Sequence, residues 1–208
     1  MAVMSRKEKA AGTETALKDA ARRVFAEKGY LNTKITDITA EAGRAAGSFY
    51  NHFASKEELL EALLVDMAES GDEQALGPDH LSDFSDPAAV RWHVAQYWRF
   101  YKEHAATMVA LRQAALVSEP FARKLTGFFT AQAADLTGHL DQVTHAGMAL
   151  PGRTELCLSM MYQLLDNFAA TWLVAPTPDG AQPPTDDEAI ETLTRFVYRG
   201  LTGHDYEG

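Results

Sequence analysis

Along this chain of 208 residues, apolar positions recur at spacings of three and four almost from end to end. Period-two runs of β-branched residues are absent, and most Gly and Pro fall between the periodic stretches. That pattern predicts an all-α protein of about nine helices. Residues 1–11 read as a flexible basic arm. Thr13 caps a first helix with the stripe Leu17, Ala20, Ala21, Val24 and Phe25, which Gly29 ends. Two short helices follow, about Ile35–Ala42 and Ala45–Asn51, with Gly43 between them. Ser55, with Glu58 three residues on, marks the start of a fourth helix carrying Leu59, Leu60, Leu63, Leu64 and Met67.

The polar stretch Gly71–Pro87 reads as a loop. One helix then carries Val90, Val94, Tyr97, Trp98 and Tyr101, and another carries Met108, Leu111 and Ala115. The next is expected from Glu119 through Phe121, Leu125, Phe128, Leu136 and Leu140 to Val143. Past Pro151-Gly152, the helix bearing Leu156, Met160, Met161, Leu164, Leu165, Phe168, Trp172 and Leu173 is apolar on most sides and must be covered on most sides. Residues 176–186 read as a loop, and Ile190, Leu193, Val197 and Leu201 mark a last helix.

The stretch 33–56, Thr-Lys-Ile-Thr-Asp-Ile-Thr-Ala-Glu-Ala-Gly-Arg-Ala-Ala-Gly-Ser-Phe-Tyr-Asn-His-Phe-Ala-Ser-Lys, carries the functional signal. Two short helices joined by a tight turn need a residue at the turn that tolerates positive φ, and Gly43 supplies it. Ile35, Ile38, Ala42, Phe49 and Phe53 are expected to face inward. The front of the second helix is then small or polar, which lets it sink into a major groove about 12 Å wide. Tyr50, His52 and Lys56 offer donors to phosphates on either side. The expected DNA contacts are therefore Thr33, Arg44, Ala45, Ala46, Gly47, Ser48, Tyr50, Asn51, His52 and Lys56.

Charge supports a polyanion at this end. The net charge is −10, but residues 1–56 hold 10 Lys and Arg against 6 Asp and Glu, leaving +4 there and −14 beyond. A basic head on an acidic body fits a protein that meets a duplex at one end and repels it from the other. The domains expected are an arm at 1–11, a DNA-binding helix-turn-helix domain at 12–56 with its motif at about 34–53, and a larger helical body at 57–208.

The motif strongly resembles that of the TetR-like repressors. The residues carrying the resemblance are Asp37, Ile38, Ala42, Gly43, Gly47, Tyr50, His52, Phe53, Ser55, Lys56, Glu57 and Leu59, together with the upstream Val24-Phe25-Ala-Glu-Lys-Gly29-Tyr30. It covers about residues 14–65. Arg44, Ala45 and Thr39 depart from the pattern, which usually has an apolar residue, a capping Ser or Thr, and Ala there. The resemblance implies a homodimer paired through its last two helices, a double-stranded operator as partner, and a small apolar or amphipathic ligand in the body. For that ligand Tyr97, Trp98, Tyr101, Met108, Phe128, Met161 and Trp172 are apolar candidates, with Gln113, Gln163 and Asn167 as polar anchors. A protein-interaction adapter with a degenerate motif and a helical-bundle enzyme are the alternative readings.

Other chemistry finds little support. No His-x-x-x-His or His-Glu-x-x-His pair lies on any expected helix, so no metal is expected. There is no phosphate-binding Gly-rich loop or nucleophile elbow, and neither a catalytic site nor a cofactor is expected. Cys157, the single cysteine, reads as inert core and fits a reducing cytoplasm. No apolar run approaches the ~20 residues of a membrane span.

Overall fold

A computed structural model describes the backbone of residues 6–75, 77, 79–176 and 180–206. Among these residues there are nine helices and no strand: α1 (Arg6–Asn32), α2 (Ile35–Glu41), α3 (Ala46–Phe49), α4 (Lys56–Ala75), α5 (Pro87–Val117), α6 (Glu119–Ala134), α7 (Thr137–His145), α8 (Thr154–Leu173) and α9 (Asp186–Thr202). None is long and apolar enough to cross a membrane.

Several boundaries differ from the sequence reading, for local reasons. The expected arm is helical from Arg6, and Met1–Ser5 lie outside the described residues. Thr13 is thus inside α1 and does not begin it. Gly29 does interrupt the helix, at φ 72° and ψ 158°, leaving one further turn at Tyr30–Asn32. α4 runs through Gly71 to Ala75, because one interior glycine costs only about 1 kcal/mol and Glu, Gln and Ala follow it. The two helices expected around 90–101 and 108–115 are one, α5, since 102–107 hold neither Gly nor Pro. The helix expected at 119–143 is instead two. The weak helix formers Asp135, Thr137 and Gly138 cluster at the break, where Leu136 stands at φ −88° and ψ 2°.

The chain divides into two compact units, each with its own core. The first comprises 1–70 and 106–125, the second 71–105 and 126–208. In the first, Leu17, Val24 and Phe25 of α1, Ile38 of α2, Phe49 of α3, Leu59, Leu60 and Leu63 of α4, and Met108, Leu111 and Phe121 are buried together. Two cations of α1 grip Asp66 of α4, Lys18 at 2.8 Å and Arg22 at 3.0 Å. In the second, the core comprises Phe84, Val90, Trp98, Tyr101, Leu140, Leu158, Leu165, Leu193 and Val197. Here α9 begins with a capping box, Thr185 receiving the Glu188 amide at 3.2 Å while its own amide donates to the Glu188 carboxylate at 2.8 Å. Gly203 ends α9 in the left-handed conformation.

Candidate nucleic-acid interface

α2 and α3 are short, and side chains bonded to the backbone hold them in place. At the start of α2 the Lys34 amide donates to Asp37 Oδ2 at 2.9 Å, and Lys28 pairs with the other carboxylate oxygen at 3.1 Å. The amide bond first and Lys28 second hold the Asp37 carboxyl below the usual carboxylate range. Gly43 turns the chain at φ 63°, and the Arg44 amide donates to the Thr39 carbonyl at 2.8 Å. Ala45 then caps α3 with no side-chain acceptor, the consequence of having Ala at that position. Ile38, Phe49 and Phe53 are buried, with the two Phe rings 5.7 Å apart. Ile35 and Ala42 are only partly covered.

The residues expected at DNA separate into two groups. Arg44, Ala45, Ala46, Gly47, Tyr50 and Asn51 are exposed, and Ser48 is half-buried beside them. Tyr50 is 62% exposed although its ring abuts Phe49, so its hydroxyl end is held out into solvent. Thr33, His52 and Lys56 are directed inward. Thr33 is buried and donates its hydroxyl proton to the Gly29 carbonyl at 2.7 Å. His52 is largely covered, its Nδ1 3.9 Å from Glu14 of α1. Lys56 donates to the Tyr30 carbonyl at 2.6 Å and the Thr33 carbonyl at 2.8 Å, with its ammonium 4.0 Å from the Tyr30 ring centre. It therefore closes the end of α1 against the start of α2, and burial lowers its pKa against the opposing influence of Glu57. Burial pushes the Tyr30 phenol up to about 12.

The expected ligand-binding residues are dispersed. Gln113 and Met108 belong to the first unit. Gln113 accepts the Tyr30 amide at 2.8 Å, beside the Gly29 kink, and so serves the backbone there. Gln163 and Asn167 stand exposed on α8, Asn167 bonded to the Gln163 carbonyl at 2.8 Å. The aromatic residues do cluster in the second unit. Tyr97 lies 6.3 Å from Tyr101 and 6.1 Å from Tyr162, and Phe168 lies 5.9 Å from Trp98 and 6.2 Å from Trp172. Met161 is buried, and Phe128 is half-buried against Phe129. Tyr97 donates to Asp166 at 3.1 Å, and burial, reinforced by that carboxylate, drives its pKa far upward. Trp98 donates to Asp186 at 2.9 Å, and Lys102 pairs with the same carboxylate at 2.7 Å.

Helix spacing predicted no metal ligands, yet the fold brings three histidines together. His80 precedes α5, His93 lies on α5 and His139 on α7, and one ring nitrogen of each lies within 4.8 Å of the others. Burial lowers the His93 pKa to about 4, and burial also lowers that of His139. Sequences 13 and 59 residues apart carry no periodic signal that could have revealed the group.

The N-terminal part of the chain matches known proteins directly. Residues 17–63 match the family described as bacterial regulatory proteins, tetR family. The repressor KstR2 of Mycobacterium tuberculosis strain H37Rv is 48% identical over 48 residues, 23% of this chain and 24% of that protein. The regulator TtgR of Pseudomonas putida is 39% identical over 69 residues, 33% of each chain. The matched stretch thus spans a quarter to a third of these curated relatives. Similarity of fold extends further. The transcriptional regulator FadR from Bacillus subtilis, solved with stearoyl-CoA, superposes with a TM-score of 0.73 at 19% identity, over 90% of this chain and 98% of that one.

Proposed function

We propose that the chain is a TetR-like protein: a homodimeric, ligand-responsive transcriptional repressor that reads a near-palindromic operator. The observation that carries this reading is the exposed front of α3. Ala45, Ala46 and Gly47 offer almost no side chain, so the backbone can approach base edges closely, while Arg44, Tyr50 and Asn51 flank them with donors. Nothing on that front is consumed by packing, because Phe49 and Phe53 fix the helix from behind. Arg44 and Tyr50 take the phosphate or base contacts, and Lys56 acts as a positioning residue through the carbonyls it holds. In the dimer two copies of α3 enter successive major grooves about 34–36 Å apart.

Dimerisation through the last two helices is supported by apolar side chains left in water. Leu156 and Met160 of α8 are 50% and 72% exposed, and Phe196 of α9 is 67% exposed. Gln163 and Asn167 share the exposed face of α8 with them, which supports a role for these two at the dimer contact rather than in a ligand site. The small apolar or amphipathic ligand is assigned to the aromatic cluster of the second unit around Tyr97, Tyr162, Phe168 and Trp172. The Tyr97–Asp166 pair supplies the polar anchor. The FadR neighbour of similar fold was solved with an acyl-CoA of that general character. Any release of DNA by the ligand requires that it bind two states of the dimer with different affinity.

The reading is tested by mixing the purified protein with a pool of random duplexes at moderate salt and sequencing what is retained. Enrichment of an inverted repeat with half-sites one helical turn apart is the expected outcome. A folded dimer that enriches nothing overturns the proposal.

A further inference from the structure

We propose that His80, His93 and His139 form a binding site for a divalent transition-metal ion of zinc's class, held by three imidazoles with a fourth position open. All three residues lie in the second unit, so the site is complete within one compact body.

The distances fit such an ion. His80 Nε2 stands 3.3 Å from His93 Nε2 and 3.0 Å from His139 Nε2. Tetrahedral zinc with Zn–N bonds of ~2.0–2.1 Å separates its nitrogen ligands by roughly 3.3–3.4 Å. Two edges of the triangle are therefore already near the length required, and the third needs at most a modest ring rotation to close.

The protons give a second argument. His93 Nδ1 lies 3.0 Å from the Ala89 carbonyl, which can only accept, so Nδ1 carries the proton and Nε2 presents a lone pair. This is the arrangement that orients metal-binding histidines elsewhere. As neutral imidazoles the three rings could not then satisfy one another. If His80 carries its proton on Nε2, that single proton faces two acceptors. If His139 donates to His80, the lone pairs of His80 and His93 confront each other. If both carry protons on Nε2, the two hydrogens collide across 3.0 Å. At most one of the two short contacts is a good hydrogen bond, whereas one dication satisfies all three lone pairs at once.

The surroundings hold the rings in this convergent arrangement. Phe84, fully buried, meets His93 edge-on at 4.8 Å and His139 at 5.2 Å, and Trp92 lies 4.7 Å from His93 and 5.1 Å from His80. The Phe84 amide donates to the His139 carbonyl at 3.3 Å, and the Tyr198 hydroxyl of α9 donates to the Ser85 carbonyl at 3.1 Å. The segment carrying His80 is thus tied down at both Phe84 and Ser85. Three neutral nitrogen ligands without a carboxylate favour zinc, copper, nickel or cobalt over magnesium or calcium. With three protein ligands, a tetrahedral ion keeps one position for water or an exogenous anion.

The experiment uses the full chain stripped with chelator, dialysed and titrated with cobalt(II), whose ligand-field bands report nitrogen coordination, and then with zinc in competition. One equivalent per chain is expected, with zinc displacing cobalt. At a metal concentration 100 times Kd the melting temperature should rise by about 5–10 °C. His80→Ala and His93→Gln should each weaken binding about 100-fold or more, since removing even an outer hydrogen-bond partner of a ligand weakens binding 10–100-fold. His145→Ala, at the exposed end of α7, should leave it unchanged. His80 lies outside every helix, so its variant carries the test if His93→Gln does not fold. The proposal is overturned by an absence of stoichiometric binding at micromolar metal, or by binding that survives His80→Ala. Neither readout involves DNA, so this result stands or falls apart from the operator.

Discussion

Two groups of polar side chains, one in each unit, are used in different ways. Around the end of α1 and the start of α2 they bond to backbone: Lys56 to the Tyr30 and Thr33 carbonyls, Gln113 to the Tyr30 amide, Thr33 to the Gly29 carbonyl and Asp37 to the Lys34 amide. Along α5 in the second unit they meet one another: Tyr97 donates to Asp166, Trp98 and Lys102 to Asp186, and the His93 ring nitrogen, like that of His139, lies close to His80. Bonds to backbone fix the path of the chain between α1 and α2, and they leave the side chains on the front of α3 with nothing to do inside the molecule. Bonds between side chains build a chemical environment, and they leave groups whose protons and lone pairs can be taken over by a ligand or an ion. A surface that reads a rigid duplex needs the first arrangement, and a site that responds to small solutes needs the second.

The sharpest way to break the first arrangement is at Gly29. Its φ of 72° with ψ of 158° is a conformation that side-chain-bearing residues rarely adopt, and an added Cβ would lie 3.2 Å from Gln113 Oε1. Gly29→Ala should therefore lower unfolding stability by about 2–3 kcal/mol, read by urea denaturation. Because the same residue sets where α2 begins, DNA affinity should fall with it. A variant as stable as the parent would mean that the kink is not imposed by the backbone ties around it.

Lys56 comes next, and it distinguishes a positioning role from a phosphate contact. Lys56→Met removes two charge-assisted hydrogen bonds at a half-buried site and should cost about 1–2 kcal/mol of stability. DNA affinity should drop to a similar degree for all sequences, with the slope of log affinity against log salt unchanged. Arg44→Ala should behave in the reverse manner. Arg44 is exposed, so stability should hold within about 0.5 kcal/mol while the salt slope falls by about one ion. A reduced slope for Lys56→Met would return that ammonium to the phosphates.

How much of this was legible beforehand follows from the range of each signal. Gly29 and Gly43 announce their turns because positive φ is a property of one residue, and the cap at Ser55 acts within three residues. The inward stripe of Ile38, Phe49 and Phe53 was readable for the same reason. Lys56 and Thr33 sit in a motif whose exposed members are the proposed DNA contacts, and only the folded structure reveals that their donors are occupied by backbone 23–26 and 4 residues away. Gln113 is further from its partner still, at 83 residues. The helix carrying Gln163 and Asn167 is apolar on most sides, and that pattern does not tell which side meets the core and which is left exposed. The histidine group depends on the break at Asp135–Leu136, which starts α7 anew and sets His139 in its first turn. The continuous helix expected there gave no reason to join His139 to His93.

The smallest effect is expected at Asp37, which tests whether a single backbone tie on the surface matters to the helix pair. Its carboxylate accepts the Lys34 amide and faces Lys28, and its folded pKa lies below the usual value. A carboxyl depressed in the folded state adds stability above its unfolded pKa, near 3.9, and loses it as pH falls through the lower folded value. Asp37→Asn keeps an acceptor for the amide but removes the charge. The parent should therefore be slightly more stable than the variant at pH 7, and the gap should close as pH is lowered through and below 3.9. High salt at neutral pH should narrow the gap but not remove it, because salt screens the pair with exposed Lys28 more than the short bond to the amide. A gap that is independent of pH would place the effect in packing and leave α2 without its electrostatic start signal.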